Sequence, residues 1–130
     1  MVSDILEPAM NGRRILVVDD NRDVAEALGE LLTMEDDVVR ICYDGMSAIE
    51  QVTTWHPEVV LLDIGLPGLD GYEVARRVRA LDGGDTVTLV ALTGWGQPDD
   101  RIRSADAGFD HHLVKPVAFA TLTEILSPVA

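Results

Sequence analysis

Two runs of four apolar residues end in acids: Ile15-Leu16-Val17-Val18 leads into Asp19-Asp20, and Val59-Val60-Leu61-Leu62 leads into Asp63. Runs without alternation suit strands covered on both faces, the environment of a parallel sheet between two layers of helices. In open sheets of that kind, ligands collect beyond the carboxyl ends of the strands. The sequence thus predicts three carboxylates at one functional edge.

Helical spacing fills the intervals. Val24, Leu28, Leu31 and Leu32 make one apolar stripe, Val74, Ala75, Val78 and Leu81 a second, and Phe119, Leu122 and Leu126 a third. A weaker helix carrying Met46, Ile49 and Val52 follows the strand candidate Val38-Val39-Arg40-Ile41-Cys42. A polar one with Ile102, Ala105 and Ala107 follows Thr88-Leu89-Val90-Ala91-Leu92. The fifth strand is short, His112 to Val114. Asp44-Gly45, Pro67-Gly68, Asp70-Gly71, Gly83-Gly84 and Gly108 punctuate the pattern, and Pro98 suits the first turn of a helix.

Five βα units in 130 residues predict an α/β fold: a doubly wound, five-stranded parallel sheet with helices on both faces. The order 2-1-3-4-5 places its switch point between strands one and three, which carry the acids. A chain of this length buries roughly two thirds of its unfolded surface as one domain. That domain is expected over 13–127, with tails at 1–12 and 128–130.

With 23 acidic against 10 basic side chains and a net charge of −13, the surface repels phosphate backbones and anionic lipid. Proteins are therefore the expected partners, with no nucleic acid and no membrane. No apolar run reaches the roughly 18 residues of a membrane span, and Met1 to Asn11 lacks the pattern of a signal peptide. The lone Cys42 has no internal disulfide partner and reads as a small buried hydrophobe. A cytoplasmic location is expected.

Carboxylates at the ends of adjacent strands, about 4.8 Å apart, repel one another. A close pair costs on the order of 4 kcal/mol at an effective dielectric near 20. A hard divalent cation answers that repulsion: Mg²⁺ takes one or two carboxylates plus waters and phosphate oxygens. Asp20 and Asp63 are the candidate direct ligands, with Asp19 acting through water. Taken alone, Asp19-Asp20-Asn21 reads first as a helix cap, and the polar groups ending the other strands of the sheet shift that reading. Thr93 closes the fourth strand and Lys115 the fifth, adding a hydroxyl and an ammonium to the same edge. Carboxylate, cation and hydrogen-bond donor are the parts phosphoryl transfer requires.

Four segments now carry a resemblance: Ile15-Leu16-Val17-Val18-Asp19-Asp20-Asn21, Leu61-Leu62-Asp63-Ile64-Gly65-Leu66-Pro67-Gly68-Leu69-Asp70-Gly71, Leu92-Thr93-Gly94 and Val114-Lys115-Pro116. In order and spacing they resemble the receiver domain of two-component response regulators, a flavodoxin-like fold, over residues 13 to 127. The stretch from Gly108 to Pro116 is similar to receivers attached to hybrid sensor kinases. The resemblance implies that Asp63 takes a phosphoryl group from the phosphohistidine of a histidine kinase or phosphotransfer protein. It implies Mg²⁺ on Asp20, Asp63 and the Gly65 carbonyl, with Asp19 through water. It further implies that Lys115 pairs with the phosphoryl group, that Thr93 switches toward it, that the Lys115-Pro116 peptide is cis, and that a face of the fourth helix, fifth strand and last helix changes shape. By this reading the chain is a switch; it assists only its own phosphorylation and dephosphorylation. Output would pass to a protein partner or to an effector domain outside this chain.

Two positions depart from the family pattern. His112 stands where an aromatic switch residue is usual, and Gly65 offers no side chain two residues after Asp63. Trp95, flanked by glycines, reads either as a partner anchor or as packing. His56 reads as a loop residue, and His111 and His112, adjacent on a strand, face opposite sides and make no metal pair. Arg76, Arg77 and Arg79 read as a solvated helix face. Two other function classes compete with this reading. A receiver-like interaction module would work without phosphorylation, but the full set of pocket residues argues for the phosphoacceptor. A nucleotide or flavin enzyme on the same fold would need a Gly-rich phosphate loop after strand one, and acids stand there instead.

Overall fold

The computed structural model describes residues 12–94 and 101–126. Its elements run β1 (Arg14–Val18), α1 (Arg22–Met34), β2 (Val38–Cys42), α2 (Gly45–Trp55), β3 (Val59–Asp63), α3 (Gly71–Ala80), a 3-10 turn (Gly84–Thr86), β4 (Thr88–Thr93), α4 (Arg101–Ala107), β5 (His111–Val114) and α5 (Phe119–Leu126). The five strands form one parallel sheet in the order β2-β1-β3-β4-β5, as the sequence pattern predicts.

Alternate residues of each strand feed two separate cores. Ile15, Val17, Leu61, Val90 and Leu92 meet Ala25, Leu28 and Leu32 of α1 and Leu122 and Leu126 of α5. Leu16, Val18, Val60, Leu62, Leu89 and Ala91 meet α2, α3 and Ala107 of α4 on the other face. Leu61 and Leu62 are both wholly buried, which explains why the run shows no alternation. Each such side chain contributes about 2 kcal/mol of transfer free energy. Helices α1, α2 and α3 start on side-chain caps: Asn21 accepts from the Val24 N–H at 3.2 Å, Asp44 from Ser47 at 2.8 Å and Asp70 from Glu73 at 3.0 Å.

Three apolar helix positions singled out by the sequence face outward. Leu31 is 38%, Met46 61% and Ile102 80% exposed. Ala25 and Gly29 take the buried positions on α1, and Gly45 and Ala48 those on α2. The expectations for Trp95 and Pro98 lie outside the described residues.

Candidate functional site

β1 and β3 are neighbours in register, Val18 opposite Leu62, so the residues that follow leave the sheet side by side. Capping of α1 falls to Asn21, whose side chain takes the Val24 N–H. Both preceding acids are thereby spared that task. Asp19 is wholly buried, its Oδ1 accepting the Asn21 N–H at 2.9 Å, while Asp20 is exposed. Asp63 is buried at the end of β3, and its Oδ1 accepts the Gly65 N–H at 2.9 Å. One carboxylate oxygen of Asp63 is therefore pinned, and Oδ2 faces the pocket.

Asp19, Asp20 and Asp63 each present an oxygen within 4.8 Å of the others. Lys115 Nζ lies 2.6 Å from Asp19 Oδ2 and 3.5 Å from Asp63 Oδ2. The Asp19 contact is an ion pair without the angles of a hydrogen bond. Three carboxylates against one ammonium leave negative charge uncompensated. Burial, more than any other cause, raises the Asp63 pKa above the ordinary carboxylate value. Asp19 and Asp20 push the same way, and the Gly65 N–H and Lys115 oppose them. A donor set of carboxylate oxygens, closed by Asp19 on one side and open to water at Asp20, fits a hard ion that keeps part of its hydration shell.

Thr93 ends β4 with its side chain buried, and its Oγ1 reaches the Leu113 carbonyl at 3.4 Å. The Thr93 carbonyl accepts the Lys115 N–H at 2.8 Å, so the hydroxyl and ammonium positions share one inter-strand link. The Lys115-Pro116 peptide is cis. The structure thus brings Asp19, Asp20, Asp63, Gly65, Thr93 and Lys115 to one end of the sheet.

His112 points toward α4, where Nδ1 lies 2.9 Å from Ser104 Oγ. Sequence spacing alone does not reveal the Ser104 partner; its one signal is a serine three residues before Ala107 on the inward face of an otherwise polar helix. His56 caps α2 in the left-handed region, at φ 54°, and its carbonyl takes two bonds from Arg14. Cys42 is buried and free, and burial pushes its thiol pKa up to about 12.

The arginine expectation requires correction. Arg76 and Arg77 are exposed and pair with Glu73, but Arg79 turns inward. It donates to the carbonyls of Gly84, Val87 and Gly108 and to the Asp110 carboxylate. Arg79 directly follows the buried Val78 and stands at the last turn of α3, where backbone carbonyls of the neighbouring loops converge.

The Response regulator receiver domain family matches residues 15–127. The response regulator MprA of Mycobacterium ulcerans is 38% identical over 109 residues, 84% of this chain and 46% of that protein. The chain spans about half the length of the curated relatives it matches. The solved receiver domain of a sensor histidine kinase from Pseudomonas aeruginosa PAO1, with a magnesium ion coordinated in its active site cleft, superposes with a TM-score of 0.81. It shares 33% identity and covers 88% of this chain and 94% of its own. A structure assigned to a response regulator of Chloroflexus aurantiacus gives 0.81 at 30% identity, covering 91% of this chain and 100% of its own. Sheet order, the three-carboxylate cluster and the family match converge, and the chain belongs to the response regulator receiver domains.

Proposed function

We propose that Asp63 is the phosphoacceptor of a two-component phosphorelay. The observation that carries this reading is the state of its carboxylate: buried at a strand end, Oδ1 held by Gly65, Oδ2 turned toward Lys115 and beside two further acids. A nucleophilic oxygen is thereby fixed with its partners already in place. Oδ2 attacks the phosphorus of a phosphohistidine on a histidine kinase or phosphotransfer protein. The new O–P bond forms as the P–N bond breaks, and the imidazole leaves with the electron pair and takes a proton from water.

Asp20, Asp63 and the Gly65 carbonyl would hold Mg²⁺, with Asp19 acting through water; bound there, the ion supplies positive charge against the phosphoryl oxygens. Lys115 moves from its carboxylate partners to a phosphoryl oxygen, and Thr93 turns its hydroxyl from the Leu113 carbonyl toward another. Because Thr93 and Lys115 are linked through β4 and β5, their displacement is passed to the α4-β5-α5 face as a population shift. His112, tied to Ser104, takes part in that shift at the position usually held by an aromatic residue. Output passes to a protein partner or an effector domain.

The test is incubation with acetyl phosphate, read by intact mass. One phosphoryl group is expected with Mg²⁺, none in EDTA, and none in Asp63→Asn. Labelling that persists in Asp63→Asn, or that maps to a histidine, overturns the reading.

A further inference from the structure

We infer that Arg22, held on the ring of Tyr43, is a charge-positioning residue at the mouth of the carboxylate pocket that favours an anionic phosphodonor over the divalent cation. The inference rests on Asp63 being the phosphoacceptor.

Most cations of this acidic chain have carboxylate partners: Arg13, Arg14, Arg76, Arg77, Arg79 and Lys115 each pair with one. Arg22 is different. Its guanidinium carbon lies 4.0 Å from the centroid of the Tyr43 ring, and the residue is exposed. It makes no ion pair among the described residues, although it stands two positions after the exposed Asp20.

Both members of the stack belong to segments that carry the pocket. Arg22 opens α1 just beyond Asp19-Asp20. Tyr43 follows Cys42, whose carbonyl accepts the Asp19 N–H at 3.2 Å. A flexible guanidinium so near a carboxylate would ordinarily fold onto it, and the flat face of Tyr43 offers an alternative seat by cation–π attraction. Helix stability does not explain the choice, since a cation in the first turn opposes the helix dipole.

Two ligands of opposite sign must enter this pocket. The carboxylates attract a cation and repel the phosphoryl dianion of a donor. A positive charge held at the start of α1, just beyond Asp19-Asp20, weakens the first tendency and offsets the second, and salt screens both effects. Tyr43 keeps that charge from collapsing onto Asp20, where it would compete directly with the metal.

The experiment uses the full chain, with Mg²⁺ binding read by calorimetry and phosphoramidate as the small donor. The concentration dependence of labelling is measured at saturating Mg²⁺. Arg22→Ala is expected to bind Mg²⁺ about threefold more tightly and to need about threefold more phosphoramidate at low salt, both shifts shrinking above ~0.5 M salt. Tyr43→Leu is expected to weaken Mg²⁺ binding severalfold, as the released guanidinium reaches Asp20. Adding Arg22→Ala to it restores tight binding. A helix or folding effect would move both constants of Arg22→Ala the same way, and that result, or no change in either, overturns the inference. So does Tyr43→Leu with wild-type Mg²⁺ affinity. Wild-type protein that binds no Mg²⁺, or labelling retained in Asp63→Asn, instead defeats the phosphoacceptor reading itself.

Discussion

Asp63 stands in surroundings that disfavour the ionised form of its carboxyl group. Burial and the neighbouring acids raise its pKa, against the Gly65 N–H and Lys115. The folded chain therefore binds this proton more tightly than the unfolded chain. Stability falls as pH rises from the unfolded carboxyl value, near about 4, through the higher folded value, and stays lower above it. Asp63→Asn removes that cost. In EDTA at pH 7 the variant is expected to melt above the parent by a few degrees, on the order of 1 kcal/mol. The gap closes under acid conditions where both states are protonated. Millimolar Mg²⁺ raises the parent's melting temperature more than the variant's, because the ion binds a charge the variant lacks. Scanning fluorimetry at several pH values checks this, and a less stable variant in EDTA at pH 7 would contradict it. The carboxylates themselves were legible in the sequence because each terminates an apolar run. Their burial was not: neighbouring Asp19 and Asp20 look alike as letters, yet one is wholly buried and the other exposed.

Elements deliver these residues through close backbone contact, and α3 shows how. A Cβ added to Gly71 would lie 2.5 Å from Ile64 Cα and 2.6 Å from the Asp63 carbonyl oxygen. The first turn of α3 thus rests directly on the chain leaving β3, with the Gly71 N–H donating to the Ile64 carbonyl at 3.2 Å. Gly71→Ala must push the two segments apart. It is expected to destabilise the fold by about 1–3 kcal/mol and to weaken Mg²⁺ binding by displacing Asp63. Gly68→Ala is the control: its φ of 75° strains a side chain, but a Cβ there meets open space, so about 1 kcal/mol is lost with Mg²⁺ affinity kept. Urea denaturation and calorimetry read both effects; unchanged affinity in Gly71→Ala would refute the coupling. From sequence, Asp70-Gly71 reads only as turn punctuation, because nothing local reveals which backbone approaches a glycine. The same limit explains Leu31. Leucines at 28, 31 and 32 all satisfy helical spacing, and the choice between them is made by where α1 meets the sheet, with small Ala25 and Gly29 at the contact.

Across the whole molecule the sheet is chemically polar. Acids gather at the carboxyl ends of the strands, and arginines tie together the amino ends. Arg13 grips the Asp37 carboxylate at 3.1 and 3.2 Å and donates to the Leu126 carbonyl at the end of α5. Arg14 takes the carbonyl of His56, the cap of α2. Arg79 joins the end of α3 to the approach to β4 at Gly84 and Val87 and to the turn into β5 at Gly108 and Asp110. Loop carbonyls that would otherwise lack a donor are satisfied at the end where no chemistry is needed, leaving the opposite end able to carry unbalanced charge. Arg79→Lys tests this division. A lysine keeps the charge but cannot serve four oxygens from one planar fork, so a loss of about 2–4 kcal/mol is expected in urea denaturation. Since these contacts lie at the far end of the strands from Asp63, Mg²⁺ affinity of the folded protein should stay within about twofold of wild type, as distant sites act independently. Stability kept with Mg²⁺ affinity lost would show instead that the arginine edge and the acidic edge are one coupled system.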